Sequence, residues 1–175
     1  MSLEKDLGRL CDLAVEFGAA EAKPIKADDI VVGNWVRLKC QYGCDGYGKR
    51  LTCPPYSPTP DEFRKVLNGY DWAILLRFEP GKPEYEWKSP HKVAVKLERE
   101  AFLTGYHSAF GLGCGPCPHC DECDLKECVH PDLARPSMEA CGVDVYATVR
   151  RAGLELRVLR DHDEKPTYFS LLLVI

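Results

Sequence analysis

Ten of the 175 residues are cysteine, and their distribution is uneven. Cys11 stands alone. Cys40, Cys44 and Cys53 form one group, Cys114, Cys117, Cys120, Cys123, Cys128 and Cys141 form another, and residues 54–113 contain none. Core thiols scattered for packing would not leave such a gap, whereas two local ligand clusters on a cysteine-free scaffold would. A chain of this length can bury a core without disulfide staples, and in a reducing compartment such thiols would not stay paired. Metal ligation, catalysis and buried packing are the explanations left for these sulfurs, and spacing must choose between them.

The sharpest signal is Cys117-x2-Cys120-x2-Cys123-x4-Cys128. Thiolates at intervals of two, on tight turns, can point into one shared space while backbone amides turn toward the sulfurs. Three ligands at this spacing followed by a fourth resemble the ferredoxin iron–sulfur run, in which the last interval is x3 and a proline follows; here it is x4 and the proline is Pro131. Zinc sites usually take two separated pairs. The pattern predicts a 4Fe–4S cluster, with zinc as the alternative. Residues 114–135 carry few apolar side chains besides cysteine (Leu125, Val129, Leu133 and Ala134), so metal binding would organise the segment locally. His119 and His130 flank these ligands and read as exposed loop histidines. His91, His107 and His162 belong to no motif.

The first group, Cys40-x3-Cys44-x8-Cys53-Pro54-Pro55, is less specific. Gly43, Gly46 and Gly48 let the backbone wrap closely around a bulky object. Lys39, Lys49 and Arg50 either offset the charge of a thiolate cluster or are ordinary surface cations. Only three cysteines lie here. Either Cys114, Cys141 or Cys128 crosses over as a fourth ligand, or one iron stays open to water or substrate as a reactive position. Cys114 and Cys141 are thus the candidates for additional ligands, with Cys141 equally readable as a core residue. Cys11 sits on the apolar face of a helical repeat, Leu3, Leu7, Leu10, Ala14 and Phe17, and reads as a packed thiol.

The elements that must position these groups can be read in outline. The first helix ends at Gly18, a strand covers residues 22–25, and Asp28-Asp29 opens a short helix running through Trp35 and Leu38. Thr59-Pro60-Asp61-Glu62 is a capping-box helix start, with the helix ending at Asn68-Gly69. Residues 71–78 form a buried strand and 79–87 a surface loop. Ser89-Pro90 opens a helix with Val93, Leu97 and Ala101 on one face and Gly105 as its stop. Residues 106–112 form a strand leading into the second cysteine group, and Asp144 caps a helix closed by Gly153. Residues 154–159 and 167–175 are predicted as a terminal pair of strands joined by a polar turn. The expected fold is a single α+β (or mixed α/β) domain over residues 1–175, with a sheet of four or five strands, flanking helices and two cysteine-rich metal-binding loops.

Three segments together carry a resemblance: Cys-x3-Cys…Tyr-Gly-Lys…Cys-Pro-Pro (residues 40–55), Gly-Pro-Cys-x2-Cys-x2-Cys…Cys (115–128), and Arg135-Pro136-Ser137-Met138-Glu139-Ala140 followed by Gly142-Val143-Asp144-Val145. Across nearly its whole length the chain is similar to a family of cysteine-rich predicted metal-binding proteins, a domain of unknown function found mostly in anaerobic bacteria and archaea. The resemblance implies a metal, as iron–sulfur, and a cytoplasmic, anaerobic setting; it implies no substrate. In the 135–144 segment, Arg135 either binds an anion or cluster sulfide or holds the cysteine loop in place. The second reading is preferred, with Pro136 and Ser137 starting a short helix that Gly142 ends.

Composition narrows the function further. A formal charge of −4, with 45% hydrophobic and 29% charged residues, excludes a disordered chain and gives no basic footprint for nucleic acid. No run is apolar enough to span a membrane, and the amino terminus shows no signal pattern, so a cytoplasmic protein is expected. The first functional expectation is a 4Fe–4S protein acting as an electron carrier, or as a small iron–sulfur oxidoreductase or sulfur-transfer enzyme, working with a redox partner protein or a small-molecule substrate. Its ligands are Cys40, Cys44, Cys53, Cys117, Cys120, Cys123 and Cys128. The alternatives are a zinc-bound regulatory or structural module and, ranked last, a metal-free thiol enzyme, for which no cysteine–histidine constellation is present.

Overall fold

The computed structural model describes residues 2–79 and 89–175; the loop expected at 79–87 lies almost wholly outside them. The described residues form an α+β fold with one four-stranded antiparallel sheet in the order β1-β2-β4-β3. The strands are β1 (Glu21–Lys26), β2 (Trp72–Phe78), β3 (Phe110–Leu112) and β4 (Tyr168–Leu173). In register, Leu75 lies opposite Leu171 across β2 and β4, and Leu112 opposite the same Leu171 from the β3 side.

The two central strands are apolar on both faces, as their near-continuous hydrophobic runs require. On one face Ile74, Leu76, Leu172 and Val174 meet Leu7, Leu10 and Ala14 of α1 (Leu3–Glu16) and Val93, Leu97 and Ala101 of α4 (Ser89–Leu103). On the other, Ala73, Leu75, Leu171 and Leu173 meet Phe63 of α3 (Pro60–Leu67), Val145 and Val149 of α5 (Val145–Arg151), and Met138 and Val143 from the segment between β3 and α5. The period of two along each strand thus assigns α1 and α4 to one side of the sheet, and α3, α5 and the Met138–Val143 segment to the other.

Local chemistry fixes the helix starts. Thr59 Oγ1 accepts from the Glu62 amide while the Glu62 carboxylate accepts from the Thr59 amide, the expected capping box. Asp144 Oδ1 accepts from the Ala147 amide, 2.9 Å away, and α5 ends at Gly153 in a left-handed conformation. The helix expected from Asp28 is divided. A 3-10 turn at Ala27–Asp29 precedes a short bridge from Val32 to Val143, and α2 (Asn34–Gly43) begins only after Gly33.

The strand expected at residues 154–159 does not form, and this corrects the predicted terminal hairpin. Its alternation is real, since Leu154 and Leu156 pack against the core while Glu155, Arg157 and Val158 face solvent. β2 pairs with β4 along its whole length and β3 pairs with it at Leu171–Leu173, whereas this segment lays Leu154 and Leu156 on the core without joining the sheet. The strand expected at 106–112 shortens to Phe110–Leu112.

Candidate metal centre

Three separate stretches of chain bring thiols to one cavity of about 490 Å³. Cys40 comes from the last turn of α2, Cys44 caps that helix, Cys53 follows on the next loop, and Cys114 arrives just after β3. Gly46 lies beside the sulfurs: a Cβ there would meet Cys53 Sγ at 3.4 Å and Cys44 Sγ at 3.6 Å, ordinary van der Waals contact. Its amide donates to Cys44 Sγ at 3.4 Å, the kind of contact that favours a thiolate. Gly48 adopts φ 69°, a left-handed turn that a side chain would strain, whereas the space around Gly43 is open.

Arg37 sews this loop to the rest of the site. Its guanidinium donates to Ser57 Oγ, the Pro58 carbonyl and the Ala140 carbonyl, and Ser57 Oγ donates to the same Ala140 carbonyl at 2.7 Å. Ala140 lies in a 3-10 turn, Glu139–Cys141, whose first amide partner is Ser137 Oγ and whose stop is Gly142 at φ 83°. The expected roles of Ser137 and Gly142 are therefore observed. Gly142 is also a packing requirement, since a Cβ would sit 2.6 Å from the Pro60 ring.

The second cysteine run, residues 114–131, lies beyond β3 without helix or strand. Cys117, Cys120, Cys123 and Cys128 are all half-buried and unbridged. Arg135 holds the end of this segment, as expected. It forms a two-pronged ion pair with Glu98 of α4 at 2.6 and 2.7 Å, donates to the Ala134 carbonyl, and lies over the Phe110 ring. Glu98 also accepts from the Gly111 amide, tying β3 to the same anchor. No anion-binding role is needed to explain this arginine.

Arg50 joins the two cysteine loops. It donates to the Cys120 carbonyl at 2.8 Å and the Asp121 carbonyl at 3.4 Å. The guanidinium also favours the thiolate forms of Cys53 and Cys117. Burial acts in the opposite direction and dominates. It pushes Cys53 up to about 11 and Cys114 up to about 12, with Cys44 and Glu139 respectively adding to the shift. An amide hydrogen bond at Phe169 partly relieves Cys114, and one at His119 partly relieves Cys117. These sulfurs are costly to ionise on their own, the condition in which a bound cation changes the balance most.

Cys141 is 1% exposed and belongs to the core cluster beneath the 3-10 turn. Cys11 is packed beside α4, with its thiol raised to about 11 by burial and then by Asp12. Among the described residues, no three His, Cys, Asp or Glu side chains are grouped as a single metal ion requires. The sulfurs of the first group line a cavity instead.

Two residues emerge that spacing did not single out as chemical. Glu139 is partly exposed as a residue, yet its carboxyl oxygen Oε2 is enclosed without a partner, and burial raises its pKa. His91 is 0% exposed and both ring nitrogens lack partners; burial, then His119, lowers it to about 4. It packs where a side chain on Gly113 would stand, beside the start of the second loop. His119 and His130, expected to be exposed, are half-buried with ring centroids 6.1 Å apart. Only the Met-Glu-Ala run signalled Glu139, and nothing in the sequence signalled His91.

No curated protein and no solved structure matches the chain. The model of a family described as "predicted metal-binding protein (DUF2284)" matches residues 23–174, which include every cysteine but Cys11. The chain therefore belongs to that family of predicted metal-binding proteins.

Proposed function

We propose that this metal-binding protein holds two 4Fe–4S clusters and serves as a cytoplasmic electron relay between a redox partner protein and a small-molecule substrate. Cys40, Cys44, Cys53 and Cys114 are the ligands of one cluster, and Cys117, Cys120, Cys123 and Cys128 of the other. The observation that carries this reading is the convergence of Cys114 on the cavity lined by the first group. Cys114 supplies the fourth thiol that spacing left open, and four protein ligands suit a relay better than an iron exposed to water. The donors fit the group in kind. All are thiols, Gly46 lies against two of them and its amide faces a sulfur, and Arg50 offsets negative charge at both sets. When bound, each cluster supplies one-electron chemistry. The chain's own contribution is to hold the sulfurs, through Arg37 and Ser57 at the first set and Arg135 at the second, and to screen their charge.

Ligand substitution tests the assignment. Cys120→Ser is expected to remove one cluster's iron and acid-labile sulfide, and Cys114→Ser that of the other, each leaving about half. Unchanged iron in Cys114→Ser would remove the crossover ligand and restore the open-iron alternative.

A further inference from the structure

We propose that His91 donates a ring N–H to a sulfur of the cluster held by Cys117, Cys120, Cys123 and Cys128, and so raises the reduction potential of that cluster. The proposal rests on the cluster reading above and adds to it a residue outside both cysteine groups.

One face of α4 is the platform for the second cysteine loop. His91, Ala94 and Glu98 recur on that face at helical spacing. Glu98 holds Arg135 and the Gly111 amide. Ala94 lies against Gly111, where a Cβ would come within 3.0 Å of the Ala94 carbonyl oxygen. His91 lies against Gly113, where a side chain would collide with the imidazole. Both glycines therefore face α4, two residues apart on an extended segment, and their lack of side chains lets the helix close on the strand. The same alternation sends Leu112 and Cys114 to the opposite side, Leu112 into the core shared with α3 and α5 and Cys114 into the cavity of the first set. His91 accordingly belongs with the second cysteine set.

The imidazole is 0% exposed, and neither ring nitrogen has a hydrogen-bond partner among the described residues. Buried polar atoms are nearly always paired. Its neighbour is His119, the residue between Cys117 and Cys120, whose Nε2 is also enclosed without a partner. Two neighbouring imidazoles that bond neither each other nor the rest of the described chain call for a partner from outside the polypeptide. Burial, and then His119, lowers His91 to about 4, so at ordinary pH the ring is neutral and carries one N–H and one bare nitrogen. Sulfurs of an iron–sulfur cluster bear negative charge that grows on reduction. An N–H aimed at them stabilises the reduced form more and moves the potential upward. An ordered water is the competing partner for these nitrogens, and it would leave the cluster without this donor.

The test uses metal-loaded protein purified without oxygen, with reduction of each cluster followed by electron paramagnetic resonance at controlled potential. The second cluster is the signal that Cys120→Ser abolishes. In His91→Leu we expect unchanged iron and sulfide. At the potential where the wild-type second cluster is half reduced, its ratio of reduced to oxidised form should fall about 10-fold, equivalent to about 59 mV for one electron. The other cluster should not move. His91→Gln keeps an N–H and should shift less. Selective nitrogen-isotope labelling of histidine gives a second measurement. Pulsed resonance of the reduced wild-type second cluster should show a weak coupling to a ring nitrogen that is not a ligand, absent from His91→Gln. An unmoved second midpoint, an equal shift of both clusters, loss of iron in His91→Leu, or no such histidine coupling would each overturn the proposal. Should His91→Leu fail to fold, His91→Gln and the labelled protein still decide. Protein with neither iron nor sulfide defeats the cluster reading and this one with it, whereas full iron with an unmoved midpoint defeats this one alone.

Discussion

Arg50 shows how one side chain can organise two cysteine loops distant in sequence. It anchors the second loop through two carbonyls and lies close enough to Cys53 and Cys117 to favour both thiolates. Arg50→Met keeps the length of the side chain and removes the charge and the hydrogen bonds. The expected result is a loss of about 1–2 kcal/mol in stability and faster surrender of iron to a chelator, with unchanged chelation kinetics counting against the bridge. Cys11 gives a pH test away from the site. Its folded pKa of about 11 lies above its ordinary value, so the folded form retains a proton that the unfolded form has lost. The thiol's contribution is therefore complete below about pH 9 and fades as the pH approaches 11. The melting temperature should fall over that window, and less steeply in Cys11→Ala; parallel curves would contradict the assignment. At this scale the sequence displayed the sulfurs, whose spacing is local. Glu139 and His91 were hidden, because their significance arises from enclosure by residues remote in the chain.

Among the elements, α3 and α4 carry the clearest predictions. Thr59→Ala breaks the capping box and should cost about 1 kcal/mol, read from denaturant midpoints, without changing metal content. Glu98→Ala leaves Arg135 unpaired at 13% side-chain exposure and frees the Gly111 amide. A loss of about 2–3 kcal/mol is expected, with iron loss confined to the cluster held by residues 117–128; full iron retention would show that the pair does not hold the loop. Such elements were legible where their signals are local: the box at Thr59-Pro60-Asp61-Glu62, the cap at Asp144, and the apolar stripe of α1. Residues 154–159 misled for an equally physical reason. Their alternation records a half-buried surface, which an unpaired segment lying on a core shares with a strand, and pairing depends on edges that local pattern does not reveal.

For the whole molecule, the sheet is both partition and frame. β4, formed last in the chain, lies between β2 and β3 and is buried on both faces, so Leu172→Ala is expected to cost about 2–5 kcal/mol and to release iron as the fold loosens. One face carries the α1 and α4 layer, and the other carries the loops that meet at Arg37, Arg50 and the 3-10 turn. The α+β class follows from alternating helix and strand signals, which pointed to a sheet of four or five strands where four form. The arrival of Cys114 beside Cys40, Cys44 and Cys53 does not, because it depends on β3 docking against β4. The central claim is that these thiols hold inorganic iron and sulfide. Protein purified in a glove box should contain about eight irons and eight acid-labile sulfides per chain and absorb broadly near ~400 nm. A colourless protein with stoichiometric zinc and no sulfide would contradict it.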